Sequence, residues 1–169
     1  MIVLDASTTI LLAKTELLDA FVGDVSQPVV MPKEVERECY GRRETLDAQL
    51  IARVIAEKRI AVRAVRQPEQ SAKLRRDFRL GRGEAAAITL ALSSGGSVVA
   101  TDDRLAINAC KLLKIPFVTA LTVLVRLREK GLLSLDEARR KLEELARYGR
   151  YTPPTIDAAR LGLEGKEYG

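Results

Sequence analysis

Carboxylates are the side chains of this sequence best placed for chemistry, because several directly follow short apolar segments. Asp5 follows Ile2-Val3-Leu4, and Asp102-Asp103 follows a segment that ends near Ala100. Both segments are short and rich in β-forming residues, which predicts two strands of a parallel sheet. Ligands bind outside the carboxyl ends of such strands, so these acids are expected to face one crevice. Aspartate at a strand-to-helix junction is also a good helix cap, and for either position alone the two interpretations are equally well supported.

Glu84 is a third acidic candidate, near the start of a predicted helix in Leu80-Gly81-Arg82-Gly83-Glu84-Ala85-Ala86. The two glycines allow a tight turn that would bring the carboxylate to the same edge of the sheet. A glutamate in a first helical turn also interacts favourably with the helix dipole without any functional role. The segment satisfies a G-x-G-x-x-A dinucleotide-binding pattern, but it follows the helix-like stretch 73–78 rather than a strand, so that function is rejected.

Three glutamates share the helix predicted after the second strand. Val35 and Cys39 define its buried stripe, with Glu36 and Glu38 about 80° to either side and Glu34 about 120° away. Glu36 or Glu38 is therefore expected to border a cleft, and Glu34 to be solvated. A solvated helix face explains any single glutamate here as well, so the identity of the helix-borne acid stays open.

Gathering several carboxylates requires compensation. Two of them about 4 Å apart repel by roughly 4 kcal/mol at an effective dielectric of 20, which protons or cations must offset. The chain has no histidine, which excludes Ser-His-Asp and Cys-His nucleophile systems. Oxygen-only ligands suit Mg²⁺ or Mn²⁺, and such ions position water and stabilise the charge of phosphodiester cleavage.

Composition sets broad limits on the protein. The 169 residues, 47% hydrophobic and 30% charged, fit one globular domain with a proper core. The net charge of +5 suits a polyanionic partner such as RNA, although solvated helix faces explain it more simply. Cys39 and Cys110 are too few for a disulfide framework, and neither a signal sequence nor a membrane span is recognisable. A cytoplasmic protein is predicted.

Short strands alternate with helical patterns, which indicates the α/β class. Ser7 or Thr8 is predicted to cap the first helix, and Pro32 is predicted to lie in the first turn of the second. Further helices are predicted over Glu44 to Lys58, from Gly83 to a stop at Gly95-Gly96, and from a capping box at Ser134 to about Tyr148. Thr152-Pro153-Pro154-Thr155 is expected to break the last helix, leaving a loose tail after Leu163. The predicted strands are Ile2 to Leu4, Pro28 to Met31, Ile60 to Val65, Ser97 to Ala100 and Pro116 to Val118.

Four short motifs, taken together, resemble the PIN-domain ribonucleases, a family that includes the toxins of many prokaryotic toxin-antitoxin pairs. They occur in the family's order over about the first 120 residues, and each is weak alone. The motifs are Ile2-Val3-Leu4-Asp5-Ala6-Ser7, Val30-Met31-Pro32-x-x-Val35-x-x-Glu38, Gly81-x-Gly83-Glu84-Ala85-x-Ala87-Ile88 and Val99-Ala100-Thr101-Asp102-Asp103-Arg104.

The resemblance implies a three-layer fold whose central parallel sheet has five strands in the order 3-2-1-4-5. It implies a nuclease domain at residues 1–133. The stretch from Thr119 to Leu133 is similar to a subgroup with extra C-terminal helices, so residues 134–169 are expected to form a helical extension packed on the same domain.

The resemblance also implies the site and its chemistry. Asp5, Glu84 and Asp102 would hold Mg²⁺ or Mn²⁺, which activates a water for hydrolysis of RNA. Glu38 and Asp103 would complete the acidic set, Ser7 would orient Asp5 or a water, and Arg104 would help to orient the substrate. Further basic residues could hold the RNA backbone, although most are as well explained as solvated charges: Arg42-Arg43, Arg75-Arg76, Arg79 and Arg82.

Partners and competing functions complete the prediction. RNA, an antitoxin protein and a second copy in a homodimer are the expected partners. A haloacid dehalogenase phosphatase would need an aspartate where this chain has Ser7, and a phospho-receiver would need one where it has Val65-Arg66-Gln67-Pro68. One alternative remains open, a PIN-like module that binds RNA or protein without cutting.

Overall fold

A five-stranded parallel sheet forms the centre of the protein, seen in a computed structural model that describes residues 1–42 and 45–165. The strand order is β3-β2-β1-β4-β5, and β1 pairs directly with β4, which confirms the predicted topology. The edge strand β3 is shorter than the predicted Ile60 to Val65, because only Ala61 to Arg63 pair with β2. The strands are β1 (Ile2–Leu4), β2 (Val29–Pro32), β3 (Ala61–Arg63), β4 (Val98–Ala100) and β5 (Phe117–Val118).

Helices cover both faces of this sheet. Successive strand residues point to opposite faces, and accordingly Ile2 and Leu4 belong to one hydrophobic cluster while Val3 belongs to another. The helices described are α1 (Ala6–Lys14), α2 (Leu18–Asp24), α3 (Lys33–Cys39), α4 (Leu46–Ala56), α5 (Pro68–Phe78), α6 (Arg82–Ser94), α7 (Arg104–Leu112), α8 (Ala120–Glu129), α9 (Leu135–Tyr148) and α10 (Pro153–Leu163).

Helix α1 begins earlier than predicted. Asp5 is its N-cap, with an extended backbone and a carboxylate that accepts the Thr8 N–H at 2.9 Å, so the predicted cap at Ser7 or Thr8 is wrong. Only one residue separates β1 from α1, which leaves the hydroxyls of the first turn free for other contacts. A strand end and a helix start therefore meet at a single aspartate.

Other helix boundaries differ from expectation by a few residues. Pro32 ends β2 and is the N-cap of α3, so its predicted place in the first turn is wrong. Helix α4 begins after Thr45, and the predicted start at Glu44, like Arg43, lies outside the described residues. Helix α6 ends at Gly95, whose φ of 52° favours glycine, as the sequence predicted.

The C-terminal helices pack on α8. The predicted capping box of α9 is present, with reciprocal hydrogen bonds between Ser134 and Glu137. The predicted break is present, since α9 ends at Tyr148, but residues 152–155 also start α10, because prolines are tolerated in a first turn, where no intrahelical N–H is needed. The predicted loose tail is described only to residue 165. Among the described residues, no helix is long and apolar enough to cross a membrane.

Candidate active site

Asp5, at the carboxyl end of β1, is the most buried acid of the predicted set, with 1% of its surface exposed. The Ser7 hydroxyl lies 2.9 Å from each of its carboxylate oxygens, and the Thr8 N–H and the Thr101 hydroxyl also donate to it. Burial raises the pKa of Asp5 to about 7, against the lowering effect of these hydrogen bonds. The charge of Asp102 makes a smaller contribution to the same rise.

Asp102, after β4, forms a pair with Asp5 that we call the aspartate pair. Its Oδ2 accepts hydrogen bonds from the Thr8 hydroxyl at 2.6 Å and from the Ala120 N–H at 2.9 Å. Its Oδ1 accepts one from the Tyr151 hydroxyl. Burial raises the pKa of Asp102, and these hydrogen bonds oppose that shift. Thr8 thus bridges the pair, giving its N–H to one acid and its hydroxyl to the other.

Ser7 also links the two aspartates. Besides donating to Asp5, its hydroxyl oxygen accepts the Asp102 N–H at 3.0 Å. The relative position of the pair is therefore fixed by two residues in the first turn of α1.

Glu38 on α3 and Glu84 on α6 form a second group, the glutamate pair. Burial and then the charge of Glu84 raise the pKa of Glu38, while a 3.0 Å hydrogen bond from the Gly83 N–H lowers it. Glu84 Oε2 is buried and has no hydrogen-bond partner among the described residues. Glu34 Oε2 is likewise buried and has no hydrogen-bond partner among the described residues. The charge of Glu34 also raises the pKa of Glu38. Glu34 is therefore not a freely solvated side chain, because α5 and α6 close over its face of α3.

Two glycines make room for the glutamate pair. A Cβ at Gly81 would lie 2.3 Å from Glu84 Oε2, and one at Gly83 would lie 2.7 Å from Glu38 Oε2. Neither glycine has a positive φ. The carboxylates, rather than the backbone conformation, therefore require glycine at both positions.

Asp103 and Arg104 stand at the start of α7. The Asp103 carboxylate caps this helix by accepting the Ala106 N–H at 2.9 Å. Arg104 is exposed and forms no ion pair with the residues that the structure describes. Asp103 therefore caps α7, and the Arg104 side chain is exposed at the start of the same helix.

Helix N-termini supply much of the compensation that the gathered acids need. Asp5, Glu38, Asp102 and Asp103 each accept a backbone N–H from the first turn of α1, α6, α8 and α7, respectively. The partial positive charge at a helix N-terminus stabilises a nearby carboxylate. These N–H groups therefore offset part of the repulsion between the carboxylates. The divalent cation that the sequence suggested is not the only source of such compensation.

The acids fall into two adjacent pairs rather than one cluster. Within residues 1–42 and 45–165, no three carboxylate or thiol groups are arranged as a metal site. The predicted ligands divide accordingly, with Asp5 beside Asp102, and Glu84 beside Glu38. Burial, with smaller contributions from the charges of Asp5 and Glu38, raises the pKa of Cys39 to about 12, so one acid of each pair acts on the same thiol.

The donor chemistry of each pair fits Mg²⁺ or Mn²⁺. An ionised carboxylate has about four lone-pair sites, and Asp5 accepts from Ser7, Thr8 and Thr101, which leaves one for a cation. Asp102 also accepts three hydrogen bonds, which leaves one acceptor site for a cation. The buried, unpartnered Glu84 Oε2 is an atom that a cation would satisfy. Mg²⁺ commonly takes one or two carboxylates and completes its shell with water and substrate phosphate, so a pair suffices.

Sequence reasoning missed three residues that contact the aspartate pair. Thr8 and Thr101 lie inside or beside the recognised motifs, and their hydroxyls were the available signal. Tyr151 lies 49 residues beyond Asp102, in a turn between two helices, where no local pattern marks it. Long-range contacts of this kind appear only once the chain is folded.

The fold and the site define a class of protein, an α/β domain with paired acids near the carboxyl edge of its parallel sheet. A family model described as a PIN domain matches residues 1–165. The chain therefore belongs to the PIN-domain family, whose members are generally nucleases. No curated protein and no solved structure shows significant similarity to it.

Proposed function

We propose that this protein is a metal-dependent endoribonuclease that hydrolyses RNA phosphodiester bonds. The observation that carries the proposal is the pair of buried aspartates, Asp5 and Asp102, at the carboxyl ends of two neighbouring strands. Each has a raised pKa and a spare acceptor site, as expected for carboxylates that hold a cation. Membership of the PIN-domain family supports the reaction class.

Each acid of the site has a proposed role. Asp5, Glu84 and Asp102 are the proposed ligands of Mg²⁺ or Mn²⁺, with Asp5 and Asp102 acting as one pair and Glu84 contributing from the glutamate pair; bound metal would activate water and neutralise developing charge. Glu38 would fix the start of α6, and thereby Glu84, through its hydrogen bond from Gly83. Asp103 would hold α7, placing Arg104 to orient the substrate, and Ser7 would keep the aspartate pair in register.

Several finer features of the proposal rest on the sequence. The net charge of +5 and the family resemblance support RNA as the substrate. A role as the toxin of a toxin-antitoxin pair and an antitoxin partner follow from the resemblance, a homodimer from the general frequency of two-fold dimers, and a cytoplasmic location from the low cysteine content; all four remain predictions. The alternative is a PIN-like module that binds RNA or protein without cleaving it.

The test compares RNA cleavage by the wild type and by Asp5→Asn, Glu84→Gln and Asp102→Asn in Mg²⁺, in Mn²⁺ and in EDTA. Glu143→Gln, on the exposed side of α9, is the matched control. Each site variant should lose at least about a hundredfold in rate, because a metal ion contributes several kcal/mol of charge stabilisation. Equal cleavage by wild type and variants would reveal a contaminating nuclease. RNA binding without cleavage in either metal would favour the binding module.

A further inference from the structure

A cavity of about 440 Å³ opens beside Glu38, between α3, α5 and the start of α6. Its volume lies within the usual range of ligand sites, roughly 300–1,000 Å³. Three guanidinium groups, those of Arg37, Arg75 and Arg82, line it. We call it the basic cavity. None of the roles proposed above uses it.

The three arginines of the basic cavity have no ion pair among the described residues, although Glu34 and Glu38 line the same space. Some surface arginines elsewhere are paired, as Arg53 and Arg59 are with Asp19, and others, such as Arg104, have no ion pair among the described residues. Three unpaired guanidinium groups around one concave space favour an anionic ligand. Their planar donor geometry matches phosphate in particular.

The rest of the lining limits how such a ligand is recognised. Val65, Pro68 and Ala72 provide an apolar wall, and no aromatic side chain is among the lining residues. Bases are usually gripped by stacking on aromatic rings, whereas arginines contact the phosphates without reading the sequence. The lining therefore suits a sugar-phosphate backbone better than a particular base.

The sheet order places the basic cavity in line with the acids. Strands β4, β1, β2 and β3 are successive neighbours, and the cavity is lined by residues of α3, which follows β2, and by Val65 and α5, which follow β3. Asp102 follows β4, Asp5 follows β1, and Glu38 lies on the helix that follows β2. A strand crossing the carboxyl edge of the sheet would meet the aspartate pair, the glutamate pair and then the basic cavity.

We propose that the basic cavity binds the sugar-phosphate backbone of single-stranded RNA on the β3 side of the bond that is cut, with little preference for the base. This inference rests on the proposed function and adds a substrate subsite to it. Arg75 and Arg82 would contact phosphate from one side of the cavity and Arg37 from the other. The apolar wall would pack against the ribose.

The experiment compares Arg75→Ala with Arg76→Ala. Both arginines are exposed neighbours in the last turn of α5, so each change removes the same charge from the same helix, but only Arg75 lines the cavity. The probe is fluorescent oligouridylate about ten nucleotides long, within the site sizes of single-strand binders. Fluorescence anisotropy is measured in EDTA over a range of salt concentrations, so that no cleavage occurs. Oligoadenylate of the same length is the second probe.

Arg75→Ala should weaken binding about tenfold, as expected for loss of a charge-assisted hydrogen bond, and Arg76→Ala less than about threefold. The salt slope should fall by about 0.7 for Arg75→Ala only, the value for one single-strand phosphate contact. Both probes should show the same loss. Equal effects of the two variants, or a loss restricted to one base, would overturn the subsite while leaving the RNA substrate intact. If the wild type binds neither probe, the subsite and the proposed RNA substrate fail together.

Discussion

The hydroxyl of Tyr151 donates a hydrogen bond to Oδ1 of Asp102, and so joins the C-terminal helices to the acids at the sheet. Gly149 makes this possible, because a Cβ there would lie 2.3 Å from the Tyr151 ring. With Thr8 and Ala120 on the other oxygen, Tyr151 leaves Asp102 one acceptor site for a cation. The extension is therefore part of the site and not only a support for it.

Tyr151→Phe removes this one hydroxyl. We expect Mn²⁺ affinity, measured by calorimetry, to fall about tenfold or more, as is usual when a group that orients a metal ligand is lost. Tyr148→Phe is the control, because Tyr148 is half exposed and its ring lies under the ammonium group of Lys14. Tighter Mn²⁺ binding by Tyr151→Phe would mean that the hydroxyl blocks the site instead.

Gly81→Ala should separate activity from stability. The added Cβ displaces the Glu84 carboxylate, which is the end of a flexible side chain, so the fold should change in stability by less than about 1 kcal/mol. Metal binding and RNA cleavage should fall together. Gly41→Ala is the control, since a Cβ there meets nothing within 4 Å. A fully active Gly81→Ala protein would show that the position of Glu84 is unimportant.

Asp5 should make stability depend on pH in the metal-free protein. Its pKa is raised to about 7 by burial, so the folded state holds a proton that the unfolded state releases above about pH 4. This contribution is complete at low pH and is lost as the pH rises through 7. Asp5→Asn should therefore gain up to about 4 kcal/mol relative to wild type between pH 4 and pH 8.

Urea unfolding in EDTA at several pH values measures this difference. Asp77→Asn is the control, because Asp77 forms an exposed ion pair with Lys73. This variant measures how the loss of an exposed aspartate changes the free energy of unfolding. A difference between Asp5→Asn and wild type that does not change with pH would contradict the raised pKa.

Residues 1–133 alone should not fold cooperatively. Leu124 and Leu127 of α8 are fully buried, and they share one hydrophobic cluster with Leu142, Leu145 and Leu163 of the extension. Removing the extension would expose this surface, at a cost of about 1.5–3 kcal/mol for each large side chain. Thermal unfolding followed by circular dichroism tests the prediction. A sharp transition near that of the full chain would make the extension a dispensable addition.

The sequence predicted the sheet and the positions of the acids well, because these depend on local pattern. Asp5 and Asp102 directly follow apolar strands, and parallel strands bring such residues to one edge. It could not predict that Glu84 pairs with Glu38, since that depends on how α6 packs against α3. The solvated position expected for Glu34 was wrong for the same reason.

The start of α10 illustrates another limit of sequence reasoning. Pro153 and Pro154 indicate that one helix has ended, but the same residues are compatible with the first turn of the next. The break itself is confirmed, but the start of α10 was missed, because nothing local distinguishes a segment that only ends one helix from one that also begins the next. Tyr151 lies in this turn, so its contact with Asp102 was beyond prediction as well.

Because Asp5 and Asp103 cap helices, their presence in a related sequence does not by itself indicate that the relative is catalytically active. Both aspartates hold the start of a helix, so selection for folding alone would preserve them in a relative that had lost catalysis. Glu84 has a buried oxygen that the described chain leaves without a partner, which is costly unless it serves a ligand. When relatives are sorted into active and degenerate members, retention of this glutamate is accordingly the more informative marker.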